Sequence, residues 1–165
     1  MEWKGEGANV IVVCDTRERL PLVFPTLKSV RKTLQSSDYS ILGLELEFGI
    51  ERKEKNDFVS CTFGENKERF YRELHRLRGF SFARIIIECS REDIAAHKYV
   101  SQVNPATVLG VASVCEMRFG IPVCWVGTRE AGALLIEEWA RQYYKEKLRM
   151  LKELLKVQEE TQPPF

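Results

Sequence analysis

Three short runs of apolar and β-branched residues constrain this chain most: VIVVC at 10–14, RIIIEC at 84–89 and PVCWV at 122–126. Each suits a buried strand covered on both faces. Helical patterns stand between them. Such strands alternating with helices predict a layered α/β fold. The 165 residues fit one domain with a single sizeable core.

The helices are read from period and caps. In ENKERFYRELHRLRGF, Phe70, Leu74 and Leu77 recur at i, i+4 and i+7, and the stripe ends near Gly79. Asn104 as N-cap and Pro105 at the first helical position open a second helix, which closes before Gly120. Val108, Leu109, Val111, Ala112, Val114 and Cys115 predict its deep burial. Thr128 caps a long last helix, about 129–158, with Leu134, Leu135, Trp139, Leu148, Leu151 and Leu155 along one side. The tail beyond it is expected to be disordered. No internal repeat, low-complexity tract or interdomain linker interrupts the chain, so residues 1–165 read as one domain.

Composition excludes several classes. The formal net charge is +1, with 25 Lys and Arg against 24 Asp and Glu, so no global basic field announces a polyanionic partner. Any such partner must be met by a local arrangement of charge. The five cysteines (14, 61, 89, 115 and 124) are odd in number and contain no C-x-x-C pair. That argues against a zinc site or disulfide framework and for free thiols in a reducing compartment. No apolar stretch approaches the ~20 residues that span a bilayer, and MEWKGEGANV lacks a signal-peptide core. A cytoplasmic location, nucleoid-associated in a prokaryote, and no membrane partner are the expectations.

A different pattern occupies residues 38–53, DYSILGLELEFGIERK. It predicts a hairpin turning near Gly43 or one or two residues later. Leu46, Phe48 and Ile50 would face one way, and Glu47, Gly49, Glu51 and Lys53 the other. Arg52 would point oppositely, toward the apolar side or a rim. An E-x-K pair at a strand end has an ordinary explanation as a structural ion pair. Its surroundings add weight to another reading. Asp57 follows Lys53 by four residues, Asp38 stands at the far end of the hairpin, and Asp15 ends the first strand. Gathered carboxylates repel one another, and a hard divalent cation such as Mg²⁺ relieves that repulsion. An adjacent lysine can then orient a water near a phosphate.

The strings DTRE (15–18), SDY (37–39) and ERKEKND (51–57) resemble the signature of the XPF-type structure-specific DNA nucleases: D-x-R-E, then G-D, then E-R-K-x-x-x-D. The RF, EL and RL pairs of the following helix and the IIIE strand are also similar to that family. The likeness covers residues 10–90 and weakens in the last third. It implies a restriction-endonuclease-like, three-layer α/β fold with a mixed central sheet flanked by helices. It implies Mg²⁺- or Mn²⁺-dependent cleavage of DNA phosphodiesters at branches or single-strand/duplex junctions. Asp38 and Glu51 would be the core metal ligands, completed by Asp15 and Glu18 directly or through water. Lys53 would position the water or counter developing charge, with Arg52 and Asp57 in support.

Arg17, Arg69 and Arg72 are candidate DNA contacts, the last two from a basic helix face shared with Arg76 and Arg78. Glu88 either supports the site or is structural. His75 and His97 read as surface residues. Two departures from the family stand out. Ser37 occupies the usual glycine position before the aspartate, and residues 90–165 lack the glycine spacing of a helix-hairpin-helix domain. The chain is thus expected to be a stand-alone nuclease module that grips duplex through its own surface, a homodimer or another protein. Apolar surface on the helix at 105–119 and on the last helix favours pairing. Two competing readings are a non-catalytic DNA-binding partner subunit and a structural domain with a surface ion-pair cluster. All the motif acids and the lysine are present, which favours activity.

Overall fold

The structure is a computed structural model that describes residues 10–161. Expectations for the first nine residues and for the last four lie outside the described residues. Six strands form one sheet: β1 (Ile11–Cys14), β2 (Lys28–Arg31), β3 (Tyr39–Ile41), β4 (Phe48–Glu54), β5 (Phe82–Glu88) and β6 (Val123–Trp125), in the order β2-β1-β3-β4-β5-β6. β1 runs parallel to β2 and antiparallel to β3, and β3 is antiparallel to β4. β4, β5 and β6 are mutually parallel. The sheet is therefore mixed, as expected.

Strand alternation sorts the core into two layers. Ile85 and Ile87 of β5 face α1 (Lys55–Ser60), α2 (Gly64–Leu77), α3 (Arg91–Ala95) and α4 (Pro105–Phe119). Ile86 faces the other way, with Phe48 and Ile50 of β4 and Ala133, Ile136 and Ala140 of α5 (Arg129–Thr161). Helices thus cover both faces. Phe70, Leu74 and Leu77 are all buried, so the α2 stripe lies where its period put it. The Asn104 side chain accepts the Ala106 N–H, and Thr128 Oγ1 accepts the Ala131 N–H, so both predicted caps form.

The hairpin turns through residues 42–47, with Gly43 at φ +88°, a left-handed conformation that favours glycine. Gly49 on β4 has another reason to be glycine. A Cβ there would stand 2.9 Å from Phe80 Cδ2 and 3.0 Å from Leu77 Cδ2, so β4 packs on the α2 end without a side chain between them.

Several expectations are corrected. β6 is half-buried because it is an edge strand, not one covered on both faces. Leu46 belongs to the turn and is exposed rather than on the apolar face of β4. α4 buries one face only; Thr107, Gly110, Ser113 and Met117 are exposed. The α5 stripe is shifted. Ala133, Ile136 and Ala140 meet the sheet, whereas Leu134, Leu151 and Leu155 are exposed. The sheet-facing side is set by helical period and carries Ile136 as well as alanines, and at Gly132 the helix comes so close that a Cβ would stand 3.2 Å from Ile86 Cδ1. β2, α1 and α3 had no clear sequence signal; β2 is exposed at all four positions and has no alternation to read. All five cysteines are free, and four are buried. No described helix is long and apolar enough to cross a membrane.

Candidate active site

The antiparallel β1–β3–β4 arrangement brings the end of β1, the start of β3 and the second half of β4 to one end of the sheet. The Asp15 N–H donates to the Asp38 carbonyl at 2.8 Å, and the Asp38 N–H donates to the Ile50 carbonyl at 3.0 Å. These bonds continue the ladder past the strand ends and fix the backbone carrying the acids. Ser37, just before Asp38, sits at φ +73°, and its hydroxyl donates to the Tyr39 carbonyl at 3.2 Å. A non-glycine residue in this left-handed region is strained, so the surrounding fold imposes the turn.

A cavity of ≈710 Å³ opens here. Its lining contains Asp15, Arg17, Glu18, Asp38, Glu51, Arg52, Lys53, Asp57 and Arg69, every residue given a catalytic, metal or DNA-contact role from the sequence save one. The exception is Arg72. It is exposed on α2 but is not among the lining residues, and Arg76, one turn further on, takes that place.

Alternation along β4 splits the motif between two sides. Glu51 and Lys53 face α2. The Lys53 ammonium is 2.7 Å from Glu51 Oε1, 3.8 Å from Glu73 Oε2 and 5.3 Å from the centre of the Phe70 ring. Burial alone would lower the ammonium's proton affinity, but Glu51 and Glu73 hold it above the usual lysine range. Arg52 faces the other side. Its Nε and Nη2 donate to the two Glu88 oxygens at 2.6 and 3.0 Å, and its Nη1 is 3.3 Å from Glu18 Oε2. Arg52 and Glu88 are both buried, so this two-point pair ties the ends of β4 and β5 together. Glu88 therefore supports the site rather than entering it.

The acids differ in how far they are already engaged. Asp15 is saturated. Its Oδ1 accepts the Arg17 N–H and Nε–H, and its Oδ2 accepts Arg17 Nη2 and the Leu34 N–H. Burial opposes its charge, but these donors win and hold the carboxyl below the usual carboxylate range. Asp38 is the opposite case. Burial, then the neighbouring Glu51 charge, push it well above its ordinary value, although its Oδ2 accepts the Arg52 N–H at 2.8 Å. Glu51 is also raised, first by burial, with Lys53 opposing and Glu73 adding to the rise.

Asp38 and Glu51 are thus two desolvated carboxylates, and the Glu51 charge adds to the rise at Asp38. Mg²⁺ fits such a pair because it commonly keeps several waters and takes one or two carboxylates. Among the described residues, no group of three or more His, Cys, Asp or Glu is arranged to hold a metal ion. Of the acids lining the cavity, Asp38 and Glu51 are the desolvated pair, and they would supply two carboxylates to a cation that keeps its waters.

Comparison with known proteins agrees with this geometry. The family model of the ERCC4 domain matches residues 14–138, well over half of the chain. The chain belongs to the ERCC4 domain family. It is an XPF-type nuclease domain by that membership, as the DTRE, SDY and ERKEKND strings implied. Among solved structures, XPF from Aeropyrum pernix is 22% identical with a TM-score of 0.63, covering 81% of this chain and 61% of that one. The same protein in complex with DNA gives 22% identity and a TM-score of 0.62, covering 83% and 66%. These likenesses show the shared fold, and the chain spans under two thirds of either one. Comparison with curated protein sequences returned no match.

Several lining residues were given no site role from the sequence, among them Glu73, Arg129 and Gln35. Glu73 and Arg129 sit on helices whose relation to the sheet end is tertiary, and Gln35 is in the turn before β3, whereas Arg76 belongs to the basic α2 face already read from the sequence. Glu73 carried one available signal: it lies four residues after Arg69, on the face of α2 beside the presumed site.

Proposed function

We propose that this ERCC4 domain is a divalent-cation-dependent DNA endonuclease that cuts phosphodiester bonds at branched or single-strand/duplex junction DNA. The observation that carries this reading is the pairing of Asp38 with Glu51 beside Lys53 on the floor of one cavity. Asp38 and Glu51 would hold Mg²⁺ or Mn²⁺, which supplies Lewis-acid stabilisation of charge on the phosphoryl oxygens. Lys53, kept charged by its carboxylate neighbours, orients the attacking water or counters the developing negative charge. Arg17, Arg69 and Arg76 on the cavity wall offer contacts to phosphates. Arg52 does not face the scissile bond; it braces β4 through Glu88 and Glu18. Asp57, exposed on α1, lines the rim. Asp15 and Glu18 act by holding Arg17 and Arg52 rather than by meeting the cation first.

The test is cleavage of labelled fork, flap, nicked-junction and plain duplex DNAs with Mg²⁺ or Mn²⁺, comparing wild type with Lys53→Ala. The expected result is structure-selective cleavage that falls by about 10²-fold or more in the variant. One observation favours a second reading, a non-catalytic DNA-binding partner subunit: Asp15 is fully engaged and no three-donor group stands among the described residues. Junction binding by folded wild type with no cleavage under either metal would select that reading.

A further inference from the structure

Glu73 belongs to none of the three sequence strings, yet α2 delivers its carboxylate into the cavity beside both Glu51 and Lys53. Among the described residues, the Lys53 ammonium has ion-pair partners only in Glu51, at 2.7 Å, and Glu73, at 3.8 Å. Its side chain is largely buried, so an ammonium there needs a counter-charge within contact distance. Glu51 cannot serve both roles at full strength. Once its oxygens face a divalent cation, the cation's charge opposes the lysine across the same carboxylate. The lysine then has one other acidic neighbour, one that costs it only a small movement.

We infer that Glu73 is the positioning residue for Lys53: it takes over the ammonium when Glu51 turns to the cation, and so keeps the lysine at the reacting phosphate. The inference rests on the nuclease reading above. α2 is built for the role. Phe70, one turn earlier, places its ring against the same ammonium, and Leu74 and Leu77 anchor the helix in the core. Gly49 lets β4 approach α2 closely enough for the contact. The longer Glu73 distance is then the resting arrangement, in which Glu51 still holds the lysine.

The experiment has two arms. In the first, crystals of wild type with and without Mn²⁺ are compared. The expected outcome is a cation at Asp38 and Glu51, and Lys53 Nζ within about 2.9 Å of a Glu73 oxygen, the charge-assisted hydrogen-bond distance. Lys53 remaining on Glu51 with Mn²⁺ bound overturns the inference. So does a Glu73 oxygen on the cation, which would make Glu73 a ligand. In the second arm, Glu73→Gln and Glu73→Asp are assayed on the preferred junction. Glu73→Gln should lose about 10²-fold in kcat with KM and Mn²⁺ affinity little changed, because it misplaces the lysine without removing a ligand. Glu73→Asp, which retains the charge, should recover part of the loss. Full activity in Glu73→Gln, or a loss confined to Mn²⁺ affinity, overturns the inference. Wild type that neither binds Mn²⁺ nor cleaves sinks the nuclease reading and takes this inference with it. Wild type that does both, beside an unaffected Glu73→Gln, sinks this inference alone.

Discussion

The Asp15 carboxylate grips the Arg17 guanidinium at two points, Nε to Oδ1 at 2.7 Å and Nη2 to Oδ2 at 3.1 Å, while the same Arg17 Nη2 donates to the Leu34 carbonyl at 2.8 Å. The Leu34 N–H returns to Asp15 Oδ2 at 2.7 Å. Two residues of the D-x-R-E string thus staple the segment that leads into Asp38. Asp15→Asn removes the charge and at least two acceptor contacts at a buried position. It should destabilise the domain by about 3 kcal/mol. Activity should fall while the Mn²⁺ affinity of the folded protein changes little, as calorimetry alongside thermal unfolding would show. Loss of cation binding with unchanged stability would return Asp15 to the role of ligand.

That staple shows where the sequence was readable and where it stopped. The strings placed Asp15, Asp38, Glu51 and Lys53 at one sheet end because local order and strand alternation settle which way each side chain points. Phe70, Leu74 and Leu77 were readable for the same reason, since helical period alone selects their face. The engagement of Asp15 was hidden, because its partner Leu34 lies in an irregular segment with no period to read. Glu73 was hidden because its position depends on how α2 docks on β4, a contact that turns on Gly49 and Phe80. The α5 stripe was misplaced because several leucines of the helix point away from the sheet, and period alone did not show which of its faces docks.

Arg52 and Glu88 make a buried two-point pair across β4 and β5, and removing one partner leaves the other charge stranded. Glu88→Gln should cost about 3 kcal/mol in stability. Glu18 still faces Arg52 at 3.3 Å, which keeps the loss from being larger. Cleavage at low temperature should survive better than in Lys53→Ala, because Glu88 does not reach the reacting atoms. Denaturant unfolding and single-turnover cleavage, measured side by side, separate the two effects.

Ser37 holds φ +73° where a glycine would be unstrained. A left-handed non-glycine residue costs about 1–2 kcal/mol. Glycine gives back about 0.4–1 kcal/mol through a freer unfolded chain, and it forfeits the hydroxyl bond to Tyr39 O. Ser37→Gly should therefore change stability by a net gain below about 1 kcal/mol. Activity should be retained, since no acid moves. A clear destabilisation on thermal unfolding would show that the hydroxyl bond outweighs the strain.

The site acids pull stability and activity in opposite directions with pH. Asp38 and Glu51 have raised proton affinities in the folded state, both through burial first, Asp38 also through the Glu51 charge and Glu51 also through Glu73. Between the ordinary carboxylate range and those raised values, the folded chain holds more protons than the unfolded one. Without a cation, their contribution to stability therefore grows as pH falls through that window and is lost as pH rises. Asp15 has the reverse sign: its lowered value contributes stability at neutral pH that disappears in acid. Asp38→Asn abolishes the repulsion with Glu51 and should raise stability at neutral pH by about 1 kcal/mol, or roughly 2–4 °C in Tm for a chain of this size. The same variant should lose cleavage. Mn²⁺, by binding the charged pair, should raise the wild-type Tm more at pH 8 than at pH 5 and leave Asp38→Asn unmoved. Scanning Tm against pH with and without Mn²⁺ checks all three. A lower Tm for Asp38→Asn at neutral pH would show that its bond from the Arg52 N–H outweighs the repulsion.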